Sequence, residues 1–192
     1  MSIKISYSNK TIKKISSNLV LFTNDKLEIK SLKKYLSTSE FSYINDLLKS
    51  IDIKKNIFLF ELSSRKKIIL ISIKNNLKTS DIESLGADFY GFFNHGKNAD
   101  YFLNSDTIDN KYKNFLSHFL HGLKLKSYEF KKYKTKKETR IISINVLGNK
   151  NKPSVKDQLK FKAIEEGTFF ARDLVSEPGN ILHPDEYAKR LS

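Results

Sequence analysis

The sequence predicts an α/β domain in which helices pack on a mixed sheet, complete by about residue 148. Segments with the two-residue period of strands alternate along the chain with segments of helical period. Apolar residues make up 39% and aromatic residues 12% of the 192 positions, enough to build a buried core. This length fits one ordinary domain and part of another.

The first three elements are predicted as strand, strand and helix. Ile3, Ile5 and Tyr7 alternate with polar residues, which indicates a strand. The apolar run 19–22 ends in a turn cluster at 23–25 and indicates a second strand. Helical spacing of apolar side chains over residues 40–51 predicts an amphipathic helix.

A β-hairpin and a second helix are predicted next. The β-rich runs 57–62 and 68–73 are separated by only four residues, which favours a hairpin. Apolar residues then recur at helical spacing from Ser80 to about His95. Glu83 stands three residues after Ser80, so we expect a capping box in which Ser80 is the N-cap.

The rest of the α/β domain is predicted as strand, helix and strand, over residues 99–103, 109–124 and 141–146. The polar stretch 149–154 has the composition of a linker. Ser154 is then a plausible N-cap for a helix to Ser176, which would span roughly 33 Å.

Two faces of this long helix carry apolar residues. We expect the first face to pack on the preceding domain, and it holds Val155, Leu159, Ala163, Phe170 and Leu174. The second face, with Ile164, Ala171 and Val175, is expected to meet a further domain. A final helix is predicted to begin at His183–Pro184, with acidic residues in its first turn.

Several protein classes are excluded or disfavoured by composition. The chain has no cysteine, which excludes disulfides, thiolate zinc sites and cysteine nucleophiles. No charge-free run approaches the roughly 20 residues of a membrane-spanning helix. The first residues alternate like a strand and lack the apolar run of a secretory signal, so we expect a cytoplasmic protein.

The net charge of +14 permits two interpretations. It raises nucleic acid as a partner, but 31 of the 35 basic residues are Lys, a bias that AT-rich coding also produces. Residues 124–140 concentrate a net +6 and interleave three aromatic side chains, Tyr128, Phe130 and Tyr133. These aromatics either stack on single-stranded bases or, the interpretation we favour, pack on the domain within a solvated connection.

Local patterns assign no catalytic, cofactor-binding or metal-binding residue. Residues 91–97 approximate a phosphate-binding loop, but Asn98 lacks the needed hydroxyl, and the flanking helix and strand are in the wrong order; Gly96 is expected to cap a helix. His118 and His121 stand three apart without a third ligand. We expect both to be exposed, because they point away from the apolar stripe of their helix.

Two segments together resemble the leucine aminopeptidase family, also called cytosol aminopeptidases. Residues 167–188, GTFFARDLVSEPGNILHPDEYA, resemble the family pattern ARDLVNEPANxLTPxxxA. Residues 121–137, HGLKLKSYEFKKYKTKK, resemble its GxxLxxYxFxxYKTKK segment. Ser176, Gly179 and His183 depart from the first pattern, and His183 would cap the next helix less well than the usual Thr.

The resemblance implies a di-metal exopeptidase that removes amino-terminal residues from peptides, using Mn²⁺ or Zn²⁺. It implies a macrodomain-like α/β domain at 1–150, a linker and interdomain helix at 151–176, and the start of a truncated catalytic domain at 177–192. The family's metal ligands lie in that catalytic domain, so we expect no bound metal and no activity in this chain. It also implies a homo-oligomer, a hexamer at full length. Membrane contact is not expected, because no charge-free run is long enough to span a bilayer. The alternative is a stand-alone interaction domain, or one that binds nucleic acid weakly through residues 124–140.

Overall fold

The computed structural model describes residues 2–9, 17–50, 55–93, 99–135 and 141–191. Within these ranges lie six strands and five α-helices, together with short 3₁₀ helices at Lys30–Tyr35 and Ser105–Thr107. In chain order they are β1 Ser2–Ser8, β2 Asn18–Asn24, α1 Thr38–Leu48, β3 Ile57–Glu61, β4 Lys67–Ile73, α2 Thr79–Tyr90, β5 Ala99–Asn104, α3 Phe115–Lys126, β6 Ile141–Leu147, α4 Val155–Ser176 and α5 Pro184–Leu191.

All six strands form one mixed sheet in the order β1-β6-β5-β2-β4-β3. Five strands run parallel, and β3 alone is antiparallel to its neighbour β4, as the predicted hairpin requires. The central strands are nearly continuous apolar runs because both sheet faces are covered. The predicted fold class, a mixed sheet flanked by helices, is confirmed.

Two apolar cores fill the two faces of the sheet. On one face, α2 and α3 pack an aromatic cluster in which the Phe22 ring meets the edges of Phe115 and Phe119, each at 5.7 Å between centroids. On the other face, α1 and the 3₁₀ helix Lys30–Tyr35 bury Ile44 and Leu32. The 3₁₀ helix was not predicted, because so short a segment shows too little periodicity.

Helices α2 and α3 touch backbone to backbone through two glycines. A Cβ added to Gly122 would lie 1.9 Å from the Glu83 carbonyl oxygen, and one added to Gly86 would lie 1.9 Å from the Phe119 carbonyl oxygen. Each glycine therefore removes the side chain that would hold the partner helix away.

The boundaries of two helices differ from the predictions. Helix α2 begins after Lys78, whose backbone N–H donates to Asp81 Oδ2 at 2.9 Å, so the predicted Ser80–Glu83 capping box is wrong. It ends at Tyr90, earlier than His95. Helix α3 begins at Phe115, because Asn114 adopts a left-handed backbone conformation with φ 57°.

The predicted packing face of α4 is wrong. Only Leu174 of that face is buried, whereas Val155 is 71% and Leu159 is 63% exposed. The face that meets the domain instead carries Phe161, Glu165, Phe169 and Arg172. Mixed polar and aromatic contacts, and not a continuous apolar stripe, therefore dock this helix. Val175 on the second predicted face is 87% exposed.

Candidate functional site

The segment after α3 packs on α4. The Tyr128 hydroxyl donates to Asp173 Oδ1 at 2.7 Å, and its ring lies 5.4 Å from the ring of Phe169. Arg172 Nη1 donates to the Leu125 carbonyl oxygen at 2.8 Å, and its guanidinium lies over the Tyr128 ring. The two sequence segments that carry the family resemblance are therefore in direct contact.

Glu177, just after α4, contacts both α5 and residues 124–140, which we call the basic segment. Its side chain is 1% exposed and accepts hydrogen bonds from Lys132 Nζ, the Tyr133 hydroxyl and Arg190 Nη1, the last at 2.8 Å. The bond from Lys132 is the largest cause that lowers the pKa of Glu177 to about 2. Arg190 Nε also donates to Glu186 at 2.9 Å. This carboxylate ties α5 to the basic segment.

Acid should release the Glu177 contacts. Because its pKa is about 2 in the folded chain and about 4.5 ordinarily, Glu177 stabilises the fold above pH 4.5 and loses this effect as the pH falls towards 2. We expect Glu177→Gln to lower the melting temperature at pH 7 and to have little effect near pH 2. Thermal unfolding across this range measures the effect.

Glu166→Gln is the matched control. Glu166 is exposed, and its Oε1 lies 3.8 Å from Nζ of Lys162, which is also exposed. The substitution should leave the melting temperature at pH 7 nearly unchanged. A Glu177→Gln chain as stable as wild type at pH 7 would show that the contacts of Glu177 contribute nothing to stability.

Part of the positive charge of residues 124–140 is paired with carboxylates of the fold. Lys131 pairs with Glu129, whose pKa is lowered to about 2 chiefly by that bond, and Lys132 pairs with Glu177. Tyr128 packs on α4, whereas Tyr133 is 48% exposed. Residues 136–140 lie outside the described part of the chain. Nucleic-acid binding by residues 124–140 stays a prediction.

The two histidines of α3 are not the exposed residues that we expected. His121 is 6% exposed, and its Nδ1 lies 3.0 Å from Glu165 Oε1 of α4. His118 is partly buried, and its Nδ1 lies 3.0 Å from Glu83 Oε1 of α2. The Phe161 ring of α4 packs against both imidazoles, at 4.8 Å and 5.0 Å between centroids. Helix α4 covers them, which no local pattern revealed.

A group of titratable side chains surrounds His121 between β1, α3 and α4. Burial raises the pKa of Glu165 and lowers the pKa of Lys124. Burial, and then the charge of Glu165, raises the pKa of Tyr7 to about 12. No sequence pattern predicted this group. Its one local signal is the placement of Glu165 four residues from both Phe161 and Phe169, on a helix face with aromatic residues.

The described residues do not fit the metal ions that the resemblance implies. Over the described ranges, no three His, Asp or Glu side chains converge as a metal ion would require. Asp173 and Glu177 accept hydrogen bonds from Tyr128, Lys132, Tyr133 and Arg190, which gives both carboxylates a structural role. We therefore derive no catalytic step from these side chains.

The loop with phosphate-loop spacing lies largely outside the described residues, since 94–98, including Gly96, are not described. Helix α2, closed by Gly91, precedes this loop, and strand β5 comes after it. A phosphate-binding loop needs a strand before it and a helix after it, so the order of elements is reversed. No helix in the described part of the chain has the length and apolar character to cross a membrane.

The fold is similar to that of the amino-terminal domain of leucine aminopeptidase. A structure of a tomato leucine aminopeptidase mutant superposes with a TM-score of 0.67 at 18% identity, covering 99% of this chain and 42% of that one. The bottromycin maturation enzyme BotP superposes with a TM-score of 0.62 at 13% identity, covering 92% of this chain and 36% of that one. A structure of BotP in complex with Mn superposes with a TM-score of 0.63 at 14% identity, covering 92% of this chain and 35% of that one.

Curated relatives agree in sequence, although no protein-family model matches the chain. The cytosol aminopeptidase of Rickettsia prowazekii is 34% identical over 134 residues, 66% of this chain and 27% of the relative. A probable cytosol aminopeptidase of Xanthobacter autotrophicus is 37% identical over 73 residues, 36% of this chain and 15% of the relative. These matches support membership of the leucine aminopeptidase family, and the predicted resemblance is confirmed. The matched parts span between about a seventh and a quarter of these relatives.

Proposed function

We propose that this chain is the amino-terminal portion of a leucyl aminopeptidase, a hydrolase that removes amino-terminal residues from peptides, and that this portion serves assembly and not catalysis. The observation that carries the proposal is the 34% identity over 134 residues to a protein named cytosol aminopeptidase. The fold, shared with tomato leucine aminopeptidase over 99% of this chain, supports it.

The proposed division of the chain follows its elements. Residues 1–150 form the α/β domain, 151–176 form the linker and interdomain helix, and 177–192 begin the catalytic domain. The polar stretch after β6 and the capped start of α4 support the first boundary, since Ser154 Oγ accepts from the Asp157 N–H at 3.1 Å. The bend at Glu177–Pro178 after α4 supports the second boundary.

The proposed peptidase activity depends on two divalent ions, Mn²⁺ or Zn²⁺, bound by residues outside this chain. Such ions polarise the scissile carbonyl and lower the pKa of a bound water. Support for a metal comes from the structure of BotP in complex with Mn, a protein of similar fold. The names of the relatives support a cytosolic location and peptide substrates for the whole protein.

An assembly role is supported by the solvent-facing side of α4. Five large apolar side chains of this helix are exposed, namely Val155, Leu159, Ile164, Phe170 and Val175. A single exposed apolar residue is ordinary, but Val155, Leu159 and Phe170 lie on one face of the helix and together form a strip typical of contact surfaces. We propose that this strip is covered in the assembled protein, which the resemblance suggests is a hexamer.

Association through α4 should depend on these side chains. We expect the double substitution Val155→Lys with Leu159→Lys to weaken self-association of the chain at least about tenfold, because each lost apolar side chain contributes roughly 1.5 kcal/mol or more when covered. Light scattering across a concentration series measures the change in average mass. Ser80→Lys with Asn180→Lys adds the same charge at exposed polar positions and is the control. Equal association by both double variants would contradict an assembly role for this strip.

A further inference from the structure

A pocket of about 480 Å³ lies between β1, α3 and α4. Its walls are largely apolar and include Ile5, Leu120, Phe161 and Phe169. Pockets of this volume hold small molecules, and those that do so combine apolar walls with a few converging polar groups. The group of titratable side chains around His121 supplies these polar groups here.

Two lysines and two glutamates line this pocket. Lys162 and Glu166 are exposed and pair with each other, whereas Lys124 and Glu165 do not pair with each other. Lys124 Nζ donates to the Ile3 carbonyl oxygen at 2.5 Å, and Glu165 Oε1 contacts His121 Nδ1 at 3.0 Å. No ion pair within 4.0 Å joins Lys124 to Glu165, although each affects the pKa of the other. Both side chains can form further hydrogen bonds. Lys124 has two more N–H donors, and Glu165 can still accept at Oε2.

The separated charges restrict the chemistry of a ligand. A simple anion would compensate Lys124 alone, and a simple amine would compensate Glu165 alone, so either would leave the other charge poorly solvated. A zwitterion with a carboxylate and an ammonium on one carbon compensates both. The aliphatic and aromatic walls then favour an apolar substituent on that carbon.

We propose that this pocket binds a free α-amino acid with an apolar side chain. Its carboxylate contacts Lys124 Nζ, its ammonium contacts Glu165 Oε2, and its side chain packs between Leu120 and Phe161. The ligand then bridges α3 and α4. This inference does not rest on the proposed peptidase function, because it concerns binding to residues of this chain alone.

Ligand analogues test the proposal on the unaltered 192-residue chain. Isothermal titration calorimetry should show saturable binding of L-leucine at millimolar concentration. L-Leucinamide lacks the carboxylate and N-acetyl-L-leucine lacks the ammonium, so each should bind at least about tenfold more weakly, because one charge-assisted contact is lost. Glycine should bind weakly because it has no side chain for the apolar walls. Absence of L-leucine binding, or equal binding of L-leucine and L-leucinamide, would overturn the proposal.

Substitutions locate the site. Glu165→Gln and Lys124→Met should each weaken L-leucine binding at least about tenfold, with circular dichroism showing the fold retained. Glu83→Gln is the matched control, because it alters the other histidine–carboxylate contact of α3, to His118, outside the pocket. It should bind L-leucine like wild type. Binding lost equally in all three variants, or in none, would overturn the assignment, and the analogue series decides the case if a variant fails to fold.

Discussion

Gly122→Ala is expected to lower the free energy of unfolding by about 3 kcal/mol or more. The added Cβ would lie 1.9 Å from the Glu83 carbonyl oxygen and 2.6 Å from its carbonyl carbon, far inside van der Waals contact. Both atoms belong to the backbone of α2, so relief requires α2 and α3 to separate across the aromatic core. Urea denaturation followed by circular dichroism measures the loss.

Gly167→Ala on α4 is the matched control, because nothing lies within 4 Å of an added Cβ there. Alanine should raise stability by about 0.5–1 kcal/mol, since glycine is the poorer helix former. Two alanine substitutions in helices should thus act in opposite directions. A Gly122→Ala chain as stable as the Gly167→Ala chain would refute the close contact of α2 and α3.

Element types were predictable from periodicity, whereas helix ends depended on details that periodicity does not contain. The alternation at Ile3, Ile5 and Tyr7 and the helical spacing in α4 both led to the right element. The start of α2 was misplaced, because the helix begins after Lys78, a residue type that does not indicate an N-cap, and the acid that accepts from its backbone N–H is Asp81 and not Glu83. The strand order could not be derived, since parallel pairs join residues far apart in sequence.

The errors around His121 and α4 have one physical cause. A helix with few apolar contacts docks through polar pairs, such as that of His121 with Glu165, 44 residues further along the chain. Hydrophobic periodicity contains no information about such pairs. The prediction from periodicity therefore placed the apolar Val155 and Leu159 on the packed face. The pocket was not predicted for the same reason, because its charged side chains come from different helices.

We expect no peptidase activity from this chain on its own. Di-metal hydrolysis requires several carboxylates that converge on two ions about 3.5–4 Å apart, held by surrounding hydrogen bonds. The carboxylates at the carboxy-terminal end of α4 already have partners. Glu177 holds Lys132 and Arg190, and Asp173 accepts from Tyr128.

The release of p-nitroaniline from leucine p-nitroanilide, with Mn²⁺ or Zn²⁺ added, tests whether this portion lacks catalysis. The purified 192-residue chain should give no release above a metal-only blank, while the cytosol aminopeptidase of Rickettsia prowazekii, assayed beside it, should release the product. The chain extended through a catalytic domain of this family should also release it. Metal-dependent release by the 192-residue chain, abolished by Asp173→Asn or Glu177→Gln, would contradict the proposal that this portion serves assembly and not catalysis.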